Sequence, residues 1–223
     1  GIRNTGCGAF TLYLATGDHN TATGYNALGL TTTGEYNTAV GSGALDSNTT
    51  ASNNTAIGYN SLQENTTGTQ NVAVGSLALD ANTTGSFSTA LGYSSLTAST
   101  TGNRNTALGV EALKALTTAT HNTAIGDRVM HLNTTGGENT AVGTGALSNN
   151  LTGNKNTAIG RLALRFNTAS KNTALGYFAL EQNTTGSVNV AIGYQALKNN
   201  TTASNNTAVG YETLKANTTG QNN

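Results

Sequence analysis

The constraint that decides most about this chain is its period. The segment NTAIGYNSLQENTTGTQ over residues 54–70 returns almost unchanged as NVAVGSLALDANTTGSF over residues 71–87. Aligned on its first residue, the unit begins at Asn4, Asn20, Asn37, Asn54, Asn71, Ser88, Asn105, Asn122, Asn139, Asn156, Asn172, Asn189 and Asn206, so thirteen copies fill the 223 residues. Every step is 17 residues except those from Asn4 to Asn20 and from Asn156 to Asn172, which are 16. Numbered from that Asn, the unit reads N-T-A-(I/V/L)-G-x-x-(A/S)-L-x-x-N-T-T-G-x-x. Position 5 is Gly in all thirteen copies, and position 9 is Leu in twelve and Met130 in the other.

A helix pair needs about 30 or more residues with a 3.6-residue apolar period, whereas this unit sets two Gly-containing turns and β-branched residues within 17. The period therefore predicts an all-β fold, a parallel β-solenoid (β-roll) with one 17-residue coil per repeat, each short strand pairing with its counterparts in the coils before and after. No linker interrupts the copies, so residues 1–223 read as one solenoid domain, and its start and finish inside the pattern suggest a piece of a longer fibrous protein.

Composition excludes several functions. The apolar fraction is 36% and Gly takes 28 positions, too little apolar side chain for a conventional core. Disorder is a poor alternative, because Pro is absent and charged residues are only 9%. With ten basic and ten acidic residues there is no net field to draw nucleic acid, and no apolar run is long enough to insert in a membrane.

Alternation along T-A-(I/V/L)-G sends positions 2 and 4 to one face and position 3 to the other. Taking the aliphatics as inward, the core anchors are Ile57 with Leu62, Val74 with Leu79, Ile125 with Met130, and Ile192 with Leu197. Cys7 then stands at a core position as a small buried hydrophobe. The Ala at position 3 faces away, and its constant small size means close contact there, with an opposing segment of the same coil or with another chain. The position-5 glycines, among them Gly41, Gly58, Gly75, Gly92, Gly109, Gly126, Gly143 and Gly160, supply corners. The NTTG segment makes a second turn, and stacked Asn at positions 1 and 12 can form coil-to-coil ladders.

Positions 6, 7, 10, 16 and 17 vary and mark the surface. Tyr25, Tyr59, Tyr93, Tyr177, Tyr194 and Tyr211 share position 6, as a stripe for a receptor or glycan or as rings shielding a β edge or a subunit seam. Catalysis finds no support: there is no nucleophile elbow, no Walker spacing and no paired carboxylates. No cofactor is implied, His19, His121 and His131 form no repeated metal set, and the acidic residues do not follow calcium-repeat spacing. Ice binding through the Thr pairs at positions 13 and 14 is disfavoured, since adjacent residues of a strand point to opposite faces.

Two aliphatics per coil contribute about 3–6 kcal/mol, against a backbone entropy cost of about 17–34 kcal/mol for 17 residues. So thin a core leads to the expectation that three parallel chains pack through the Ala face. Motifs such as Asn37–Gly41, Asn54–Gly58 and Asn189–Gly193 resemble the A-(I/V)-G repeats of YadA-like heads in trimeric autotransporter adhesins, and the fuller unit looks like repeats of phage tail spikes and fibres. That resemblance implies a left-handed roll, a homotrimer, and an extracellular place on a bacterial surface or a virion, attached to a host receptor or glycan. The 17-residue coil departs from the shorter coils of YadA-like heads. The expected function is thus a structural or adhesive fibre module, not an enzyme, with a monomeric solenoid binding glycan or ice through one flat face as the alternative.

Overall fold

The computed structural model describes residues 1–223, which form two compact units, residues 1–111 and 112–223. Each repeat contributes one three-residue strand. In the first unit these are β1 (Thr5–Cys7), β2 (Thr21–Thr23), β3 (Thr38–Val40), β4 (Thr55–Ile57), β5 (Val72–Val74), β6 (Thr89–Leu91) and β7 (Thr106–Leu108). In the second they are β8 (Thr123–Ile125), β9 (Thr140–Val142), β10 (Thr157–Ile159), β11 (Thr173–Leu175), β12 (Val190–Ile192) and β13 (Thr207–Val209). Within each unit consecutive strands pair in parallel with like positions opposite, as in Thr55↔Val72, Ala56↔Ala73 and Ile57↔Val74. Both units are therefore parallel β-solenoids. The two 16-residue steps leave this register intact, Thr5 facing Thr21 and Thr157 facing Thr173, because the missing residue comes out of the polar turn.

The strands face the opposite way from the expectation. The twelve position-3 alanines, Ala22 to Ala208, are at most 1% exposed, while Ile57 is 40% exposed and Ile125 36%. Val74 and Ile192 are half-buried. These four are not core anchors; Leu62, Leu79, Met130 and Leu197 are fully buried. The reason is the size of the coil. A Cβ added at Gly6, which occupies position 3 in the first coil, would lie 3.3 Å from Leu12 Cδ1. The position-9 Leu reaches across the narrow interior and leaves room for a methyl group on the strand side and nothing larger. Position 8 follows the same rule, with Ala27, Ala44 and Ala78 in one unit and Ala146, Ala163 and Ala179 in the other all fully buried. Cys7, at position 4, is accordingly exposed rather than buried.

Asparagine supplies the rest of the interior. Asn54 accepts a bond on Oδ1 from the backbone N–H of Asn71 at 2.9 Å and donates from Nδ2 to the Gly68 carbonyl at 2.9 Å. Asn172 does the same in the second unit, toward Asn189 at 2.9 Å and Gly186 at 2.8 Å. The position-12 ladder runs in the same sense but from side chain to side chain, Asn65 Nδ2 donating back to Asn48 Oδ1 at 3.1 Å and Asn200 to Asn183 at 2.8 Å. Each buried amide thus satisfies backbone groups that a coil without helix or long sheet would strand.

Gly58 has φ +136°, a region that suits glycine, and a Cβ there would sit 2.6 Å from the carbonyl carbon and oxygen of Gly75. The position-15 glycine is not left-handed, and Ala51 and Ala203 occupy that position fully buried or nearly so. The left-handed turns fall instead at positions 7, 9 and 17, on residues as unlike as Asn60, Leu62 and Gln70.

Candidate functional surface

With alanine inward, positions 2 and 4 build an outward strand face in each unit. Its two columns are Thr or Val beside Val, Ile or Leu, with Cys7 and Thr23 opening the second column. Ile57 and Leu91 in the first unit and Ile159 and Leu175 in the second each leave about two-fifths of their surface in solvent. No charged residue occupies either column. Parallel pairing in constant register makes each column regular, one residue per strand spacing of about 4.8 Å. Position 3 no longer offers an outer contact, so packing of other chains through the Ala face is overturned: those methyl groups are inside.

The tyrosines of position 6 are exposed in both units, Tyr177 alone being half-buried, but organised in one. In the second unit Tyr177 stacks on Tyr194 at 5.6 Å and Tyr194 on Tyr211 at 5.1 Å, with planes within 8° of parallel. Arg161 caps the stack, donating from Nη1 to the Tyr177 hydroxyl at 2.8 Å with its guanidinium 5.6 Å from the ring centre. In the first unit Tyr25, Tyr59 and Tyr93 stand in alternate coils, separated by Ser42 and Ser76. The stacked rings hide their faces in one another, so they present edges and hydroxyls.

Charge is where the units part. Residues 1–111 hold two basic side chains, Arg3 and Arg104, against Asp18, Glu35, Asp46, Glu64, Asp80 and Glu111, a formal charge of −4; residues 112–223 hold eight basic against four acidic, +4. The chain's overall neutrality conceals this, and the split becomes legible once the units are known. Position 10 shows it best. In the second unit Glu181 is nearly buried between Arg165 at 3.9 Å and Lys198 at 3.6 Å, and Lys198 also lies 4.7 Å from the Phe178 ring centre. In the first unit Asp46 and Asp80 share that position without a cation; burial, then the negative charge of Glu64, raises the carboxyl pKa of Asp46. Burial raises that of Asp80 as well, and its Oδ1 is enclosed without a hydrogen-bond partner.

Concavities interrupt these surfaces in both units. One of about 330 Å³ in the first unit is lined by Phe10, Tyr13, Asn26, Gly29, Leu30 and Asp46. Another, about 520 Å³ in the second, is a shallow apolar trough around Leu132, Leu151 and Phe166. The histidines are scattered: His19 stacks on Tyr36 at 4.8 Å and His121 meets Thr120 Oγ1 at 3.0 Å. No group of three His, Cys, Asp or Glu side chains is arranged to hold a metal ion, and no helix is long and apolar enough to cross a membrane.

Each unit belongs by its geometry to the parallel β-solenoid repeat proteins. Beyond that class, comparison with protein-family models, with characterised proteins and with solved structures finds no match.

Proposed function

We propose that the chain is a non-catalytic binding module whose working surface is the outward strand face, which engages an extended repetitive ligand such as a glycan or ice. One observation carries this reading: the strands turn Thr and aliphatic side chains outward in regular, uncharged columns. That alternation puts neighbouring outward side chains on one face, as the adjacent Thr pairs of the turn could not, and Thr21 and Thr23 of β2 present a full T-x-T pair. Charged side chains at positions 2 or 4 would break such a face, and there are none.

A second reading is favoured by the aliphatic column itself. A continuous apolar strip is also what copies of one chain bury against each other, which fits a homotrimeric module of an extracellular fibre, on a bacterial surface or a virion, attached to a host receptor. Light scattering at micromolar concentration separates the two: a monomer favours ligand binding by a free face, and a trimer favours the fibre. For a monomer, thermal hysteresis and a glycan screen identify the ligand. Ile57→Lys with Ile159→Lys should abolish either activity while each costs only about 0.5–1.5 kcal/mol of stability, because two-fifths of each side chain already lies in solvent. Unaltered ligand binding in that double variant would remove the strand face as the working surface.

A further inference from the structure

The concavity of the first unit lies away from the strand face, on positions 7, 10 and 11, and its chemistry is independent of the reading above. Three successive position-10 residues make its axis: Tyr13, Gly29 and Asp46. The middle one has no side chain, which leaves a notch between a phenol and a carboxylate. Asp46 leans into that notch, for a Cβ on Gly29 would lie 2.7 Å from Asp46 Oδ1. The wall beside it is aromatic and braced: the Phe10 ring meets Tyr13 edge to face at 6.1 Å and Tyr25 at 5.9 Å. Asn26 and Leu30 complete the lining of about 330 Å³.

The carboxylate has no cation within its own unit. Both basic residues there are engaged elsewhere, Arg3 with His19 at 3.5 Å and Arg104 over the Phe87 ring at 5.2 Å. The charged group that does act on Asp46 is another acid, Glu64. A partly buried carboxylate beside two exposed aromatic rings repels anions and gives a neutral ligand no use for its charge. It suits a positive charge carried on a carbon skeleton, whose polarised C–H groups rest on ring faces while the charge faces the acid.

We propose that this notch binds an organic ammonium group, with Asp46 as counter-ion and Phe10 and Tyr13 as the aromatic wall. Two sources share that chemistry, a methylated ammonium such as choline and the ammonium of a hexosamine. The raised carboxyl pKa of Asp46 agrees with the site: a bound cation offsets both burial and Glu64, so binding weakens as pH falls into the carboxylate range and Asp46 takes a proton.

The test is a titration of the full chain with choline chloride at constant ionic strength, followed by the ring resonances of Phe10 and Tyr13. Its neutral isostere 3,3-dimethylbutan-1-ol, glucosamine and glucose are run alongside. Saturable shifts are expected at millimolar choline, with the isostere about tenfold weaker. A preference for glucosamine over both choline and glucose assigns the site to hexosamines; a preference for choline assigns it to methylated ammonium. Asp46→Asn, which keeps the backbone bonds of that residue, should lower affinity about tenfold with the ligand-free spectrum otherwise unchanged. Gly29→Ala, which fills the notch, should do the same. Equal binding of choline and its isostere, no saturable shift, or full affinity in folded Asp46→Asn would each overturn the proposal.

Discussion

The two units are the same object built twice with opposite charge. Both stack short strands in parallel with alanine inward, both run Asn ladders, and both place glycine with φ near +130° after the strand. Yet one carries −4 and leaves Asp46 and Asp80 unpaired, whereas the other carries +4 and clamps Glu181 between Arg165 and Lys198. The first has a notch walled by Phe10 and Tyr13, and the second a stack of Tyr177, Tyr194 and Tyr211. The difference separates two sets of positions. Those that meet a neighbouring coil through backbone or a filled interior keep to one residue type or a few of like size, and those that meet solvent are free to diverge into different surfaces.

If that division is right, paired substitutions at frame positions should act alike in the two units. The largest effect belongs to the corner glycine. Gly58→Ala and Gly160→Ala each place a Cβ 2.6 Å from the carbonyl group of the next coil's glycine at a φ unsuited to alanine. Each should cost about 3–6 kcal/mol and unfold its own unit first, which segment-resolved hydrogen exchange would show. A loss in one unit and tolerance in the other would break the equivalence. Next come Asn54→Ala and Asn172→Ala, each stranding a buried backbone N–H of the next coil and removing one of two bonds to a carbonyl, for about 1–3 kcal/mol in denaturant melts.

A smaller effect, of opposite sign, is expected where the frame has a flaw. Ser99 takes the place of Asn in the position-12 ladder, and both its Oγ and Asn82 Oδ1 are buried without partners. Ser99→Asn should return a donor to Asn82 and raise stability by about 0.5–1.5 kcal/mol; an unchanged melt would mean that the ladder bond adds nothing at that rung.

The smallest effect sharpens the contrast in charge. In the folded first unit Asp46 and Asp80 hold protons above the ordinary 3.8, so the folded state binds more protons than the unfolded chain there. Stability should be fullest below that value and decline as pH rises through the raised range. Asp46→Asn with Asp80→Asn should flatten that decline, and exchange in residues 112–223 should not follow it. A first unit that instead grows more stable over this range would reverse the assignment.

Much of the fold is visible in the chain because every coil repeats one answer to one problem. The period identifies a solenoid, the recurrent Asn at positions 1 and 12 identifies ladders, Leu62 and its counterparts identify the core, and Gly58 marks a corner. Local rules fail at the surface. Alternation shows that Ala56 and Ile57 point opposite ways but gives no sign of which is inside, and hydrophobicity selects the wrong one. Left-handed turns on Leu62 and Gln70 carry no propensity signal, since neither residue favours positive φ; the stacked backbone imposes it. The notch at Gly29 is a gap between Tyr13 and Asp46, legible only when three coils are laid side by side.

The sequence by itself determined the repeat, the strand, the ladder residues and the parallel register, because each is a relation between identical neighbours. The tertiary structure decided the facing of the strand and the contents of the surface columns. Seventeen residues close a coil too narrow for both Leu62 and Ile57, so the leucine and the alanine methyl fill it and the isoleucine is left outside.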